Sequence, residues 1–255
     1  MMLVLKVPAI LLGAPIPGSE NPYIAAPTGS ARFRIELEDC SAPSLRSSGL
    51  EDIAGGLREH WVNTVEGLGA GICSRLELEE VEGSYTRAGL YAAATIGLMH
   101  ALSRHHGESL SSMELVELAR YGDPYYRDVW GFMLDALRYS VAEGGLVVYR
   151  NDEEHSRLAD TMVKAGNRGV VELSRRVDSE KVGSDVYSGL IHLMGVTVLE
   201  ASLRIGEGMD PVEVLRSMAP IHEGVMMAVW GYGRSDDCIT SPSMPGTAEV
   251  LCPVV

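Results

Sequence analysis

The residues best suited to chemistry sit in the turn Gly83-Ser84-Tyr85-Thr86-Arg87 and in the segment that it opens. From Ala88 to Ser103 there is no carboxylate, lysine or arginine, and alanines, glycines and large aliphatics occupy every helical face. A helix that is apolar all round is a buried helix. Its first turn offers unpaired backbone N–H groups and the positive end of the macrodipole, so it can hold an anion. Ser84 and Thr86 add hydroxyls there, Arg87 adds a guanidinium, and Gly89 falls within the first turn. A second feature is Asp135, flanked by Leu134 and Ala136 in an apolar helical stretch. A buried carboxylate is costly unless paired, so it has a function or a partner, and Arg138 is the candidate partner. Asp123 precedes Pro124, as turn residues commonly do.

Other polar residues read as structural. His105-His106 follows a helix end, where adjacent rings make a poor chelate and a cation suits the helix C-terminus. His222-Glu223 has no metal-ligand spacing and is expected in a loop, and Ser30 and Ser235 lack the sequence of a nucleophile elbow. Met218, Met226 and Met227 are expected in the core. Tyr125-Tyr126-Arg127 suits either a substrate pocket or a domain junction.

The elements that must position these groups follow from periodicity. Leu3–Leu12 reads as a strand made an edge or bulged by Pro8. Tyr23–Ala26 and Ala31–Leu37 read as two strands, Ser41–Ser48 as a linker, Leu50–Val65 as a helix and Ile72–Val81 as a strand. Ser111 and Glu114 form a capping box. Val129–Val141 is helical, Leu146–Tyr149 is a short strand, and Asp152–Glu154 is a solvated turn. Leu158–Val177 and Ser184–Ile205 have helical spacing, and Asp210-Pro211 starts another helix. Val225–Trp230 reads as a strand, with Glu249–Val254 closing a hairpin. Strands first, then a mixture, then helices with a terminal hairpin indicate an α+β fold in two lobes, 1–151 and 152–255.

The chain has 255 residues and a formal net charge of −14. That acidity argues against nucleic acid and anionic membranes as partners. The longest uncharged run, Ala88–Ser103, is shorter than the ~20 residues of a membrane span. No signal peptide is expected, and a soluble cytoplasmic protein follows. Cys40, Cys73, Cys238 and Cys252 contain no CxxC pair, so a structural zinc is not expected. A Cys238–Cys252 disulfide is compatible with the spacing, but free buried thiols are the expectation. The sequence leaves the oligomeric state open, a homodimer included.

In this order the elements resemble the GHMP small-molecule kinases, the group of galactokinase, homoserine kinase and mevalonate kinase. The resemblance is carried by Pro8-Ala-Ile-Leu-Leu-Gly13, Pro22-Tyr-Ile-Ala-Ala26, Gly83–Ala94, Gly144-Gly145-Leu-Val-Val, and Gly231-Tyr-Gly233-Arg-Ser235. It implies a GHMP-kinase-like fold with an active site between the lobes, transferring a phosphoryl group from ATP, with Mg²⁺, to a small hydroxylated metabolite. Phosphoryl transfer needs a phosphate cradle, a bridging cation and a group that positions the acceptor. On this resemblance Ser84, Thr86, Arg87 and Gly89 form the cradle, Asp123 binds the metal and Asp135 is catalytic, with Asp128 the runner-up. The departures are Ala14-Pro15 where mevalonate kinases carry Glu-His, Pro8 where a lysine is often found, and Tyr91 in place of a serine. They motivate a second reading, a catalytically inactive relative acting as ligand sensor or interaction module. A decarboxylase of the same superfamily is a third.

Overall fold

The computed structural model describes residues 1–126, 130–175, 185–234 and 236–253. The chain is α+β, with two sheets and six helices among the described residues. The first sheet is built on one long strand, β2 (Tyr23–Asp39). β1 (Met2–Leu12) pairs with it antiparallel and has no other partner strand among the described residues, which makes it an edge there, and its register shifts between Val7 and Pro8. Proline cannot donate to a ladder and so belongs at such an irregularity. Pro27 of β2 lies opposite Pro8, which lets the two strands expected around Ala26 and Ala31 run on as one.

Along its other side β2 pairs with β4 (Ile72–Gly83) and, through Tyr23–Ala25, with β5 (Leu146–Tyr149). Register follows the alternating pattern: Phe33 faces Leu78 and Ile35 faces Leu76 toward the core. On the other face Arg32 pairs with Glu80, and Arg34 with Glu77 and Glu79. The expected linker before the first helix contains a strand instead. β3 (Ser44–Ser48) runs parallel to β4 and buries Leu45.

Helices cover the sheet. α1 (Ala54–Gly67) is followed, after β4, by α2 (Arg87–His105), which is buried along nearly its whole length. α3 (Ser112–Tyr121) opens with the capping box Ser111–Glu114, and α4 (Trp130–Glu143) packs on α2 and the sheet. Gly97 brings α2 against Leu5 of β1 and Ile35 of β2. Gly89 brings it closer still, because a Cβ there would overlap the Pro8 carbonyl oxygen.

Beyond β5 the expectations change most. In place of a helix over Leu158–Val177 there are two strands, β6 (His155–Ala159) beside β5 and β7 (Ala165–Glu172). Gly166 and Gly169 fall within that stretch, and Gly169 has φ +123°, which no helix accommodates. α5 (Asp185–Gly206) and α6 (Pro211–Trp230) follow. The apolar run Val225–Trp230 is the end of α6 and not a strand. Val225, Met226 and Val229 are buried on one helical face, and Gly231 stops the helix at φ +71°. His222 and Glu223 therefore lie buried in a helix and not in a loop, and Met227 is exposed while Met218 and Met226 are core. Short apolar runs fit strand and buried helix equally well.

The second sheet has the order β7-β9-β8, with β8 (Ile239–Pro242) and β9 (Thr247–Pro253) forming the terminal hairpin. The cysteines are not free thiols: Cys40 is bonded to Cys73 and Cys238 to Cys252. The first joins the end of β2 to β4, and the second ties the start of β8 to β9. One helix among the described residues, α5, is long and apolar enough by length and composition to cross a membrane, with 33% of its apolar window buried in the protein. Asp185, Glu200 and Arg204 keep its uncharged stretch shorter than Ala88–Ser103.

Candidate functional site

The amino end of α2 meets the second sheet. Thr86 is the N-cap, fully buried, and its Oγ1 accepts the Gly89 amide at 3.0 Å. The Leu90 amide donates to the Thr86 carbonyl oxygen at 2.9 Å. The Ala88 amide donates to Ser243 Oγ, in the β8–β9 turn, at 3.2 Å. The Arg87 amide donates to Glu249 Oε1 of β9 at 3.0 Å, and Arg87 Nε reaches the same oxygen at 3.3 Å. Arg87 Nη2 donates to Thr247 Oγ1 at 3.1 Å, and Ser84 Oγ donates to the Ala165 carbonyl oxygen of β7.

All four amides from Arg87 to Leu90 are therefore satisfied within the chain. The place for an anion at this helix end is taken by a carboxylate, Glu249, which is 2% exposed. Thr86, Arg87 and Gly89 are brought together, as their spacing suggests, and Ser84 lies beside them. They meet β7 and the β8–β9 hairpin there, and the donors that a phosphate would need are already bonded. Glu249, Ser243 and Thr247 could not be found from local sequence. They join Arg87 and Ala88 across 155 to 162 positions.

A second cluster lies between α3, α4 and β5. Arg138 of α4, fully buried, donates to Asp123 Oδ2, to Thr95 Oγ1 at 3.3 Å and, more distantly at 3.5 Å, to Asp135. Asp123 also accepts from the Tyr91 hydroxyl at 3.2 Å and from the Tyr125 amide at 2.7 Å. Tyr91 thus anchors Asp123 and lies 5.8 Å beneath the Arg138 guanidinium. Arg120 of α3 donates to Asp135 Oδ2 at 3.0 Å and clasps Asp152 through Nη1 at 2.8 Å and Nη2 at 2.5 Å. Tyr149 donates to Asp152 at 2.8 Å.

The electrostatics follow from burial. Asp135 is pushed up to about 6 by desolvation, which outweighs the opposing pull of Arg138 and Arg120. Arg138 is itself raised above its ordinary value despite burial, chiefly by Asp123, its nearer carboxylate. Its charge is shared, and Asp135 receives the smaller part. His60 of α1 lies 2.6 Å from the Ala119 carbonyl oxygen, and burial lowers it to about 4, so it is neutral at pH 7.

Arg138 does contact Asp135, as the sequence suggests, but Arg120 is the closer partner. Both aspartates nominated for chemistry are held by guanidinium groups, and Asp135 has no exposed surface. Asp123 is engaged on both oxygens, Oδ1 by Tyr91 and the Tyr125 amide and Oδ2 by Arg138. Among the described residues no group of three His, Cys, Asp or Glu could hold a metal ion. Both Asp123 oxygens and the first-turn amides of α2 already have partners within the chain, so neither is free here for a cation or a nucleotide phosphate. Asp128, Arg127 and Ser235 lie outside the described residues.

A groove of about 700 Å³ opens elsewhere, between α5 and the β5–β6 edge. Asn21, Arg150, Glu154, His155, His192 and Leu199 are among its lining residues.

The order of elements and the two sheets define a GHMP-kinase-like fold. Mevalonate kinase from methicillin-resistant Staphylococcus aureus matches 100% of this chain and 90% of its own, at 18% identity and a TM-score of 0.54. Streptococcus pneumoniae phosphomevalonate kinase in complex with phosphomevalonate and AMPPNP matches 100% and 93%, at 13% identity and a TM-score of 0.59. A mevalonate diphosphate decarboxylase from Legionella pneumophila matches 99% and 92%, at 9% identity and a TM-score of 0.56. At these identities the likeness is one of fold. No protein-family model matches the chain, and no curated protein matches it by sequence.

Proposed function

We propose that this chain keeps the GHMP-kinase scaffold without phosphoryl transfer at α2, and acts as a binding module for a small hydroxylated metabolite or a protein partner. One observation carries this reading: Glu249 occupies the amino end of α2, where a phosphate would sit in an enzyme that used that end. ATP and Mg²⁺, which the resemblance implied, have no part in it. The groove beside α5 supports a ligand-binding role, since its volume falls in the range of small-molecule sites and it mixes apolar walls with a few polar groups. Disulfides persist in oxidising compartments and in the cytosol of hyperthermophiles. A cytoplasmic location therefore goes with the second of these.

The test is a turnover screen with MgATP and mevalonate, phosphomevalonate, mevalonate diphosphate, pantoate or homoserine, following ADP and CO₂, beside binding of each metabolite without nucleotide. The reading expects no ADP and no CO₂. ADP formation lost in Asp135→Asn would establish the kinase instead, and CO₂ release the decarboxylase.

A further inference from the structure

One face of α5 is buried, through Tyr187, Met194, Val198, Ala201 and Ile205. The opposite face is apolar and open: Val186 is 76% exposed and Leu203 63%, with Leu193, Val196 and Leu199 exposed between them. Val186, Gly189, Leu193, Val196, Glu200 and Leu203 recur at alternating steps of three and four, the spacing with which one helix packs along another.

We propose that this face joins two copies of the chain, with their α5 helices antiparallel about a two-fold axis near Met194-Gly195. Charge selects this occupant. Asp185 begins the helix and Arg204 ends it. In the antiparallel register Asp185 meets the partner's Arg204, Val186 meets the partner's Leu203, and Leu193 meets the partner's Val196. Gly189 faces the partner's Glu200, and the space where its Cβ would be is open to 4 Å. Glu200 stays neutralised by Arg204 of its own helix at 2.8 Å. Each apolar residue thus meets an apolar one and each end charge its opposite. The macrodipoles also oppose, whereas a parallel pair would set like against like throughout. Glu200 within the stripe, and the net charge of −14, count against an anionic bilayer. The inference does not depend on what α2 binds, although Val196 and Leu199 also line the groove beside α5, so the dimer face borders that groove.

The area sets the affinity. Twenty-two residues span ~33 Å at a width of ~10–12 Å, so each copy buries ~350–400 Å² through α5. The total of ~700–800 Å² is below the ~1,200 Å² of standard interfaces, so the dimer is a weak, transient one.

Sedimentation equilibrium of the full chain across micromolar concentrations tests this, with Asp185→Arg, Arg204→Asp and the double variant compared in a Glu200→Gln background, so that Glu200 does not lose its Arg204 partner, beside wild type. Circular dichroism checks that each is folded, and all the changes are at the surface. We expect reversible dimerisation, weakened about tenfold in each single variant and recovered in the double. A chain monomeric at every concentration, a dimer indifferent to the single changes, a double variant without recovery, or a monomer that binds phosphatidylcholine vesicles overturns the proposal.

Discussion

Glu249 and Arg87 meet twice through one oxygen: Oε1 of Glu249 accepts the Arg87 backbone amide at 3.0 Å and its Nε at 3.3 Å. A first-turn amide and a guanidinium are what an enzyme of phosphorylated substrates would aim at its ligand. Here the last strand of the same chain supplies the anion. The capping is consistent along the turn, with Glu249 and Ser243 taking one amide each and Thr86 two, through its hydroxyl and its carbonyl oxygen.

Glu249→Ala leaves that amide and the Arg87 Nε without an acceptor, while Nη2 keeps Thr247. Unfolding in urea should show a loss of ~2–3 kcal/mol, the cost of half-buried polar groups left unpaired. Inorganic phosphate should raise the melting temperature of this variant and not that of wild type. Equal effects on both would mean that Glu249 does not hold the site.

Gly89→Ala should destabilise the fold by ~3 kcal/mol or more, because its Cβ would overlap the Pro8 carbonyl oxygen, a backbone atom with little room to yield. If Gly89 instead served mainly to admit a ligand, the variant would melt like wild type.

The pH dependence of stability carries two opposed contributions. His60 is lowered to about 4 from an unfolded value of ~6.5, so its contribution is lost as the pH falls through that window. Asp135 is raised to about 6 from its unfolded value of ~3.9, so the folded state holds its proton longer and stability declines as the pH rises through that interval. Between about 4 and about 6 the two offset each other. His60→Gln keeps a donor for Ala119 but removes the imidazole titration. Its urea-unfolding free energy should fall from pH 4 to 6 more steeply than that of wild type. Parallel profiles would contradict the assignment of His60.

Reduction should destabilise both regions that the cysteines join. On chain-entropy grounds the loops closed by Cys238–Cys252 and Cys40–Cys73, with separations of 14 and 33, correspond to ~3 and ~4 kcal/mol. Cys238 is buried while Cys40 and Cys73 are partly exposed. Alkylation and mass spectrometry under mild reductant should therefore label Cys40 and Cys73 first. Simultaneous labelling of all four would indicate global opening.

What the sequence disclosed was local. The alternation of Phe33, Ile35 and Leu37 with Arg32 and Arg34, the capping box at Ser111, and the unbroken apolarity of Ala88–Ser103 each mark an element whose type neighbouring residues decide. The strand at Ser44–Ser48 was hidden because its stability comes from pairing with β4. Val225–Trp230 misled because six apolar residues have no period of their own. The site was legible on one side only. Ser84 to Gly89 advertises an anion site, but nothing near it says that the anion is Glu249. Asp135 stands out as a carboxylate among apolar neighbours, whereas Arg120, its nearer partner, looks like any surface charge near a helix end.

Backbone amide chemical shifts of residues 87–90 during a titration with MgATP test the central claim most directly. With Glu249 and Ser243 holding the end of α2, these resonances should not move at millimolar nucleotide. Saturable shifts at Arg87 and Ala88, with Glu249 released from both, would contradict it.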